Sequence, residues 1–193
     1  MLSILAGLMI GLGGSVYLIL PDKFLGSLMF SLGLLTILYF RFALFTGKAG
    51  LLSQWKIGPV ELTKIFVGNA IGTGVMALLV RSLPKYELLF SEAQSIVQAK
   101  SAQFWLNSLF LGVLCGLLMF IAVEVHEKTP LLTIMCVSSF ITIGANHCVA
   151  DMFYYWVGTT ADNWVGVIIC LFWTTIGNVI GCNLINLSKK INL

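Results

Sequence analysis

The sequence is poor in charge. Charged side chains make up 10% of its 193 residues, where a soluble domain carries about 25%, so a water-facing surface could not be covered. Clustered basic residues are absent, which excludes a nucleic-acid footprint. There are two histidines, and His126 sits in a loop beside Glu127, so a histidine-built metal centre is not expected. No CxxC spacing occurs. The five cysteines, Cys115, Cys136, Cys148, Cys170 and Cys182, lie inside apolar runs and are expected to behave as small hydrophobes rather than as disulfides or metal ligands. Also missing are a phosphate-binding glycine loop, GxSxG, HExxH and the paired NPA motifs of water channels, which disfavours an ATP-driven pump, a hydrolase and any cofactor. The first twenty residues lack the basic start and small-residue cleavage site of a signal peptide, and are read as a membrane-crossing helix.

What remains is apolar. The chain is 59% hydrophobic with mean hydropathy +0.98 and a net charge of +3. Its natural solvent is a bilayer, with a small positive excess suited to anionic headgroups. Six hydrophobic segments follow in order: about Leu2–Leu20, Phe24–Trp55 interrupted around Arg41, Val60–Val80, Ala102–Val123, Pro130–Val157 interrupted near Asn146-His147, and Trp164–Leu187. The polar stretch from Arg81 to Lys100 reads as a short surface helix. The whole chain, 1–193, forms one membrane domain, with halves at about 1–81 and 101–190 joined by 82–100. Lys48, Lys56, Lys128, Lys189 and Lys190 share the side of the termini, against Lys23, Arg81, Lys85 and Lys100 opposite, a slight bias towards cytoplasmic termini in a cell membrane.

The two halves repeat. Pro21 and Pro130 each open a segment, and Gly68-Asn69-Ala70-Ile71-Gly72 recurs as Gly177-Asn178-Val179-Ile180-Gly181. Both pairs lie 109 positions apart (21 to 130, 68 to 177). Three crossings per half is an odd number, so the second half enters from the opposite face. The expected fold is all-α: six transmembrane helices as two inverted three-helix repeats, with broken second and fifth helices meeting at mid-membrane. The GNxxG residues suit close helix packing. Arg41, costly at depth, either attracts an anion or reaches an interface or a carboxylate. His147, with Asn146 and Asp151 beside it at a helix break, is the strongest site candidate, because an imidazole changes charge near neutral pH.

Several stretches carry a family resemblance. Leu28-Met29-Phe30-Ser31-Leu32-Gly33-Leu34, Leu44-Phe45-Thr46-Gly47, Phe66-Val67-Gly68-Asn69, Gly144 through Phe153 and Thr175-Ile176-Gly177-Asn178 resemble, in order, the FSLGL, LFTG, FxGN, GFEHSIANMF and TxGN patterns of the formate/nitrite transporter family. The resemblance implies an aquaporin-like homopentamer with one pore per protomer. It implies His147 as the central pore histidine and Thr46 in the break of the second helix. Lys100 matches an anion-attracting vestibule lysine, and Phe30, Leu34, Leu44 and Phe140 match apolar constriction residues. The expected partners are a small weak-acid anion, protons and the lipid bilayer. Departures fall at Asn146 and Asp151, which stand for Glu and Asn, at Arg41 and Ala43, which stand for Gly and an acid, and at Gly116, which stands for Asn. The family's helix ahead of the first span has no counterpart in these residues. The expected function is passage of formate, nitrite or hydrosulfide as the neutral acid after protonation near His147. The alternatives are a non-conducting membrane subunit and a channel for a neutral solute such as water or ammonia.

Overall fold

A computed structural model describes residues 1–191; the side chains of Lys189 and Lys190, counted above on the side of the termini, lie outside the described residues. Nine α-helices occur among the described residues, and no strand: α1 (Leu2–Ile19), α2 (Lys23–Tyr39), α3 (Phe45–Ala49), α4 (Pro59–Leu79), α5 (Tyr86–Ser101), α6 (Trp105–Val125), α7 (Pro130–Thr142), α8 (Cys148–Gly158) and α9 (Trp164–Ile191). Helices α1, α4, α6 and α9 are long and apolar enough to cross a membrane, while α2 and α7 are shorter apolar helices. Local chemistry explains several starts. The Asp22 carboxylate accepts from the N–H groups of Phe24 and Leu25 at 2.9 and 3.0 Å, capping α2. Pro59 and Pro130 occupy the first turns of α4 and α7, where a missing N–H costs nothing.

Two tightly packed helix pairs frame the molecule, α1 with α4 and α6 with α9. Glycine makes this approach possible: a methyl group at Gly72 would overlap the carbonyl oxygen of Ile4, and one at Gly181 that of Val113. Both contacts belong to the GNxxG motifs, and they are related by the same 109-residue step as the motifs themselves.

Helix α5 is more than a surface helix. Leu89, Ala93 and Val97 recur every fourth residue and are fully buried, so α5 lays one apolar stripe against α8 and α9. Lys23 at the start of α2 pins it from outside through a 2.9 Å ion pair with Glu92. This packing carries Lys100, at the last turn of α5, into the interior.

Both chain interruptions are built alike. After α2, the N–H of Phe42 bonds the carbonyl of Ile37 and that of Arg41 bonds Leu38; after α7, Ala145 bonds Phe140 and Gly144 bonds Ile141. Each is a Schellman stop, which needs a left-handed residue. Gly144 supplies it with φ +71°, and Arg41 takes φ +56° despite its side chain. Only a five-residue helix, α3, follows the first stop, whereas the eleven-residue α8 follows the second. The expected helix running on to Trp55 instead dissolves into turns, with Trp55 itself left-handed at φ +58°.

Candidate functional site

The two interruptions are held open by a matched pair of asparagines. Asn69 Oδ1 accepts the N–H of Phe45 at 2.8 Å, and its Nδ2 donates to the carbonyls of Ala43 (2.9 Å) and Ser3 (2.7 Å). Asn178 Oδ1 accepts the N–H of Cys148 at 2.9 Å, and its Nδ2 donates to Asn146 and Gly112, both at 2.8 Å. Each side chain thus meets a donor and an acceptor that a broken helix leaves unpaired. Sequence reasoning assigned these asparagines to helix packing. Their glycine neighbours do that; the asparagines also staple the breaks.

His147 stands at the second break as the N-cap of α8. Its Nδ1 accepts the Ala150 N–H at 3.0 Å, and its Nε2 lies 2.9 Å from Thr46 Oγ1 at the start of α3. A backbone N–H can only donate, so Nδ1 is an acceptor here, and the neutral ring carries its hydrogen on Nε2, directed at Thr46. Two residues 101 positions apart are thereby joined across the two breaks. Asp151 does not touch the ring.

An apolar collar surrounds this pair. Phe30 and Leu34 are 1% exposed, Leu44 2% and Phe140 3%. The Phe140 ring stacks on the imidazole at 5.6 Å and 24°, and Phe30 meets Phe140 edge-on at 6.2 Å. Two cavities approach the collar. One, of about 190 Å³, reaches Leu34 and Leu44 and opens past Arg41, Lys48 and His126. The other, of about 150 Å³, reaches Phe30, Phe140 and His147 and is lined by Lys100 and Asp151. Along α2 they are separated by the single turn from Phe30 to Leu34, about 6 Å at 1.5 Å per residue.

In the second cavity Lys100 is the central charge. Its Nζ lies 3.0 Å from Asp151 Oδ1, with side-chain exposures of 14% and 2%, and it donates a short hydrogen bond to Asn146 Oδ1. Asn146 in turn donates to Gln103 Oε1 at 2.9 Å and to Thr174 Oγ1 at 3.3 Å. A carboxylate 51 positions from its lysine gave no signal in the sequence, and neither did Gln103 or Thr174. Arg41 belongs to the other cavity and is exposed. The carboxylate held by Lys100 is therefore not available to Arg41, and a seal between Arg41 and Asp151 does not form. All five cysteines are buried and free. Cys182 donates to the carbonyls of Thr46 and Gly116, both at 3.3 Å, bracing α3. No cluster of metal-ligating side chains occurs among the described residues.

Comparison with known proteins agrees with this architecture. A family profile described as formate/nitrite transporter matches residues 1–187. The formate channel FocA of Haemophilus influenzae is 25% identical over 148 residues, covering 68% of this chain and 52% of that protein. The chain thus spans about half the length of that curated relative. A solved structure of a pentameric formate channel with formate bound superposes with TM-score 0.81 at 25% identity, covering 99% of this chain and 94% of the other. A solved FNT family ion channel gives TM-score 0.82, also at 25% identity, with 99% and 88% covered.

Proposed function

This chain belongs to the formate/nitrite transporter family of membrane proteins, and from that premise we propose that it passes a small monovalent weak-acid anion of the formate, nitrite or hydrosulfide kind across a cell membrane. One observation carries the reading: two cavities approach a buried imidazole from different sides, separated by a collar one helical turn long. The proposed topology has six crossings, α1, α2–α3, α4, α6, α7–α8 and α9, arranged as two inverted halves with cytoplasmic termini. The matched asparagine staples and Schellman stops support it. The likeness to a pentameric formate channel supports a homopentamer with a pore through each protomer.

Electrostatics decides what can traverse the collar. A bare anion among Phe30, Leu34, Leu44 and Phe140 faces a desolvation cost of tens of kcal/mol by Born estimates, against a few kcal/mol for the neutral acid. The passing species is therefore the acid. Arg41 and Lys48 raise the local anion concentration at one mouth and Lys100 orients the solute in the other cavity. The Nε2–H of His147 and the hydroxyl of Thr46 provide the polar contact inside the collar, and a proton joins the anion there and leaves beyond it.

The test uses purified protein in liposomes enclosing a pH-sensitive dye, with formate, nitrite and hydrosulfide gradients. Formate entry should acidify the lumen and slow as external pH rises, since less acid is present. His147→Asn should lower that flux by at least about tenfold, in the range of a proton-transfer group. Flux no greater than in protein-free liposomes for all three solutes would overturn the proposal. It would leave the second reading, a non-conducting subunit, which the mutual cancellation of Lys100 and Asp151 favours.

A further inference from the structure

The Lys100 cavity is polar without being cationic. The Lys100 ammonium faces the Asp151 carboxylate at 3.0 Å, so the fixed charges of the pair cancel. The other polar groups around the cavity are Tyr17, Tyr154 and the His147 ring, and none of these adds a fixed charge, the ring being neutral in its capping tautomer. The opposite cavity differs: Arg41, Lys48, His126 and Glu127 line it, and cations exceed anions there.

The pair is also incompletely used. Lys100 has three ammonium hydrogens, of which two are directed to Asp151 Oδ1 and Asn146 Oδ1. Asp151 has two carboxylate oxygens, and Oδ2 is buried with no hydrogen-bond partner. Buried acceptors without donors are uncommon and costly. One donor and one acceptor, held by residues that touch each other, thus remain at the wall of one small cavity beside the imidazole.

We propose that Asp151 is a specificity-determining residue, which makes this cavity a binding site for solutes presenting both a hydrogen-bond donor and an acceptor, namely protonated weak acids, and turns away permanently charged anions. The solute's O–H or S–H donates to Asp151 Oδ2, and where the solute carries a second heteroatom, that atom accepts from Lys100. A bare anion has no hydrogen to offer and meets a carboxylate oxygen instead. Asn146 acts with Asp151 as a positioning residue, since its Oδ1 fixes Lys100 while Gln103 and Thr174 hold its amide.

The inference rests on the transport reading above, and the experiment separates the two. Liposomes containing wild-type protein are challenged with formate, a weak acid, and with nitrate, which stays ionised throughout the working pH range. Wild-type protein should move formate at least about ten times faster than nitrate. Asp151→Asn leaves Lys100 uncompensated, and the nitrate-to-formate flux ratio should rise by about tenfold or more, the lower end of what a fixed charge in a cleft does to local ion concentration. A purely structural role would lower both fluxes together and leave their ratio unchanged. Wild-type nitrate flux comparable with formate overturns the proposal even if Asp151→Asn does not fold, and so does an unchanged ratio in a folded variant. Absence of wild-type formate flux refutes the transport reading itself.

Discussion

Replacing Asn178 by leucine removes one staple while keeping nearly the same volume. The change deletes three hydrogen bonds of 2.8–2.9 Å. Hydrogen bonds between membrane helices average about 0.6 kcal/mol each, so three give a loss of about 2 kcal/mol as the lower bound. Two of the abandoned groups, the Cys148 N–H and the Asn146 carbonyl, sit at a helix break and have no regular helical partner. Buried orphans cost about 1–3 kcal/mol each, which places the upper bound at about 6 kcal/mol. The assay is unfolding in mixed micelles followed by tryptophan fluorescence, with amide hydrogen exchange read over residues 144–152. Ser27→Ala serves as the comparison, because it removes a single buried 2.7 Å contact with Ser138 and should cost only about 0.6 kcal/mol. Asn178→Leu should lower stability several times more than that, with faster exchange confined to the break. Asn69→Leu should behave alike at residues 41–47. A loss no larger than that of Ser27→Ala, or exchange unchanged at Cys148, would refute the view that these asparagines hold the interruptions in place.

Three further outcomes follow from the same geometry. Lys100→Met strands the Asp151 carboxylate and should cost about 3–5 kcal/mol, whereas the double change Lys100→Met with Asp151→Leu should recover most of it, as measured in the same unfolding assay. Arg41→Gly removes a side chain from a left-handed position and should raise stability by about 1 kcal/mol. Leu44→Ala trims the collar: it should cost about 2–5 kcal/mol of stability and let larger weak acids such as acetate through liposomes, where the unaltered protein admits formate best.

How far the sequence could be read depended on the range of each interaction. Breaks near Arg41 and Asn146-His147 were legible because a charge, a glycine and an imidazole interrupt otherwise apolar runs. The packing of α1 on α4 and α6 on α9 was legible because GNxxG is a local spacing. The Lys100–Asp151 pair was not, since its members belong to different segments and only the docking of α5 unites them. That docking was itself readable in part: Leu89, Ala93 and Val97 mark a stripe, but glutamates, glutamines and lysines around them masked it. The shortness of α3 had no sequence signal at all. Leu51, Leu52 and Trp55 keep the region hydrophobic while the backbone leaves the helix. Arg41 carried the opposite lesson. Its depth in an apolar run suggested burial, yet it occupies the exposed turn that ends α2.

His147 joins a folding duty to its place in the collar, because the lone pair on Nδ1 anchors the first turn of α8. A substitution there alters the scaffold as well as the passage, so lost flux in an alanine variant would have two explanations. Asparagine separates them: its side-chain oxygen is among the best helix caps, so it keeps the anchor and deletes only the aromatic ring and its Nε2–H.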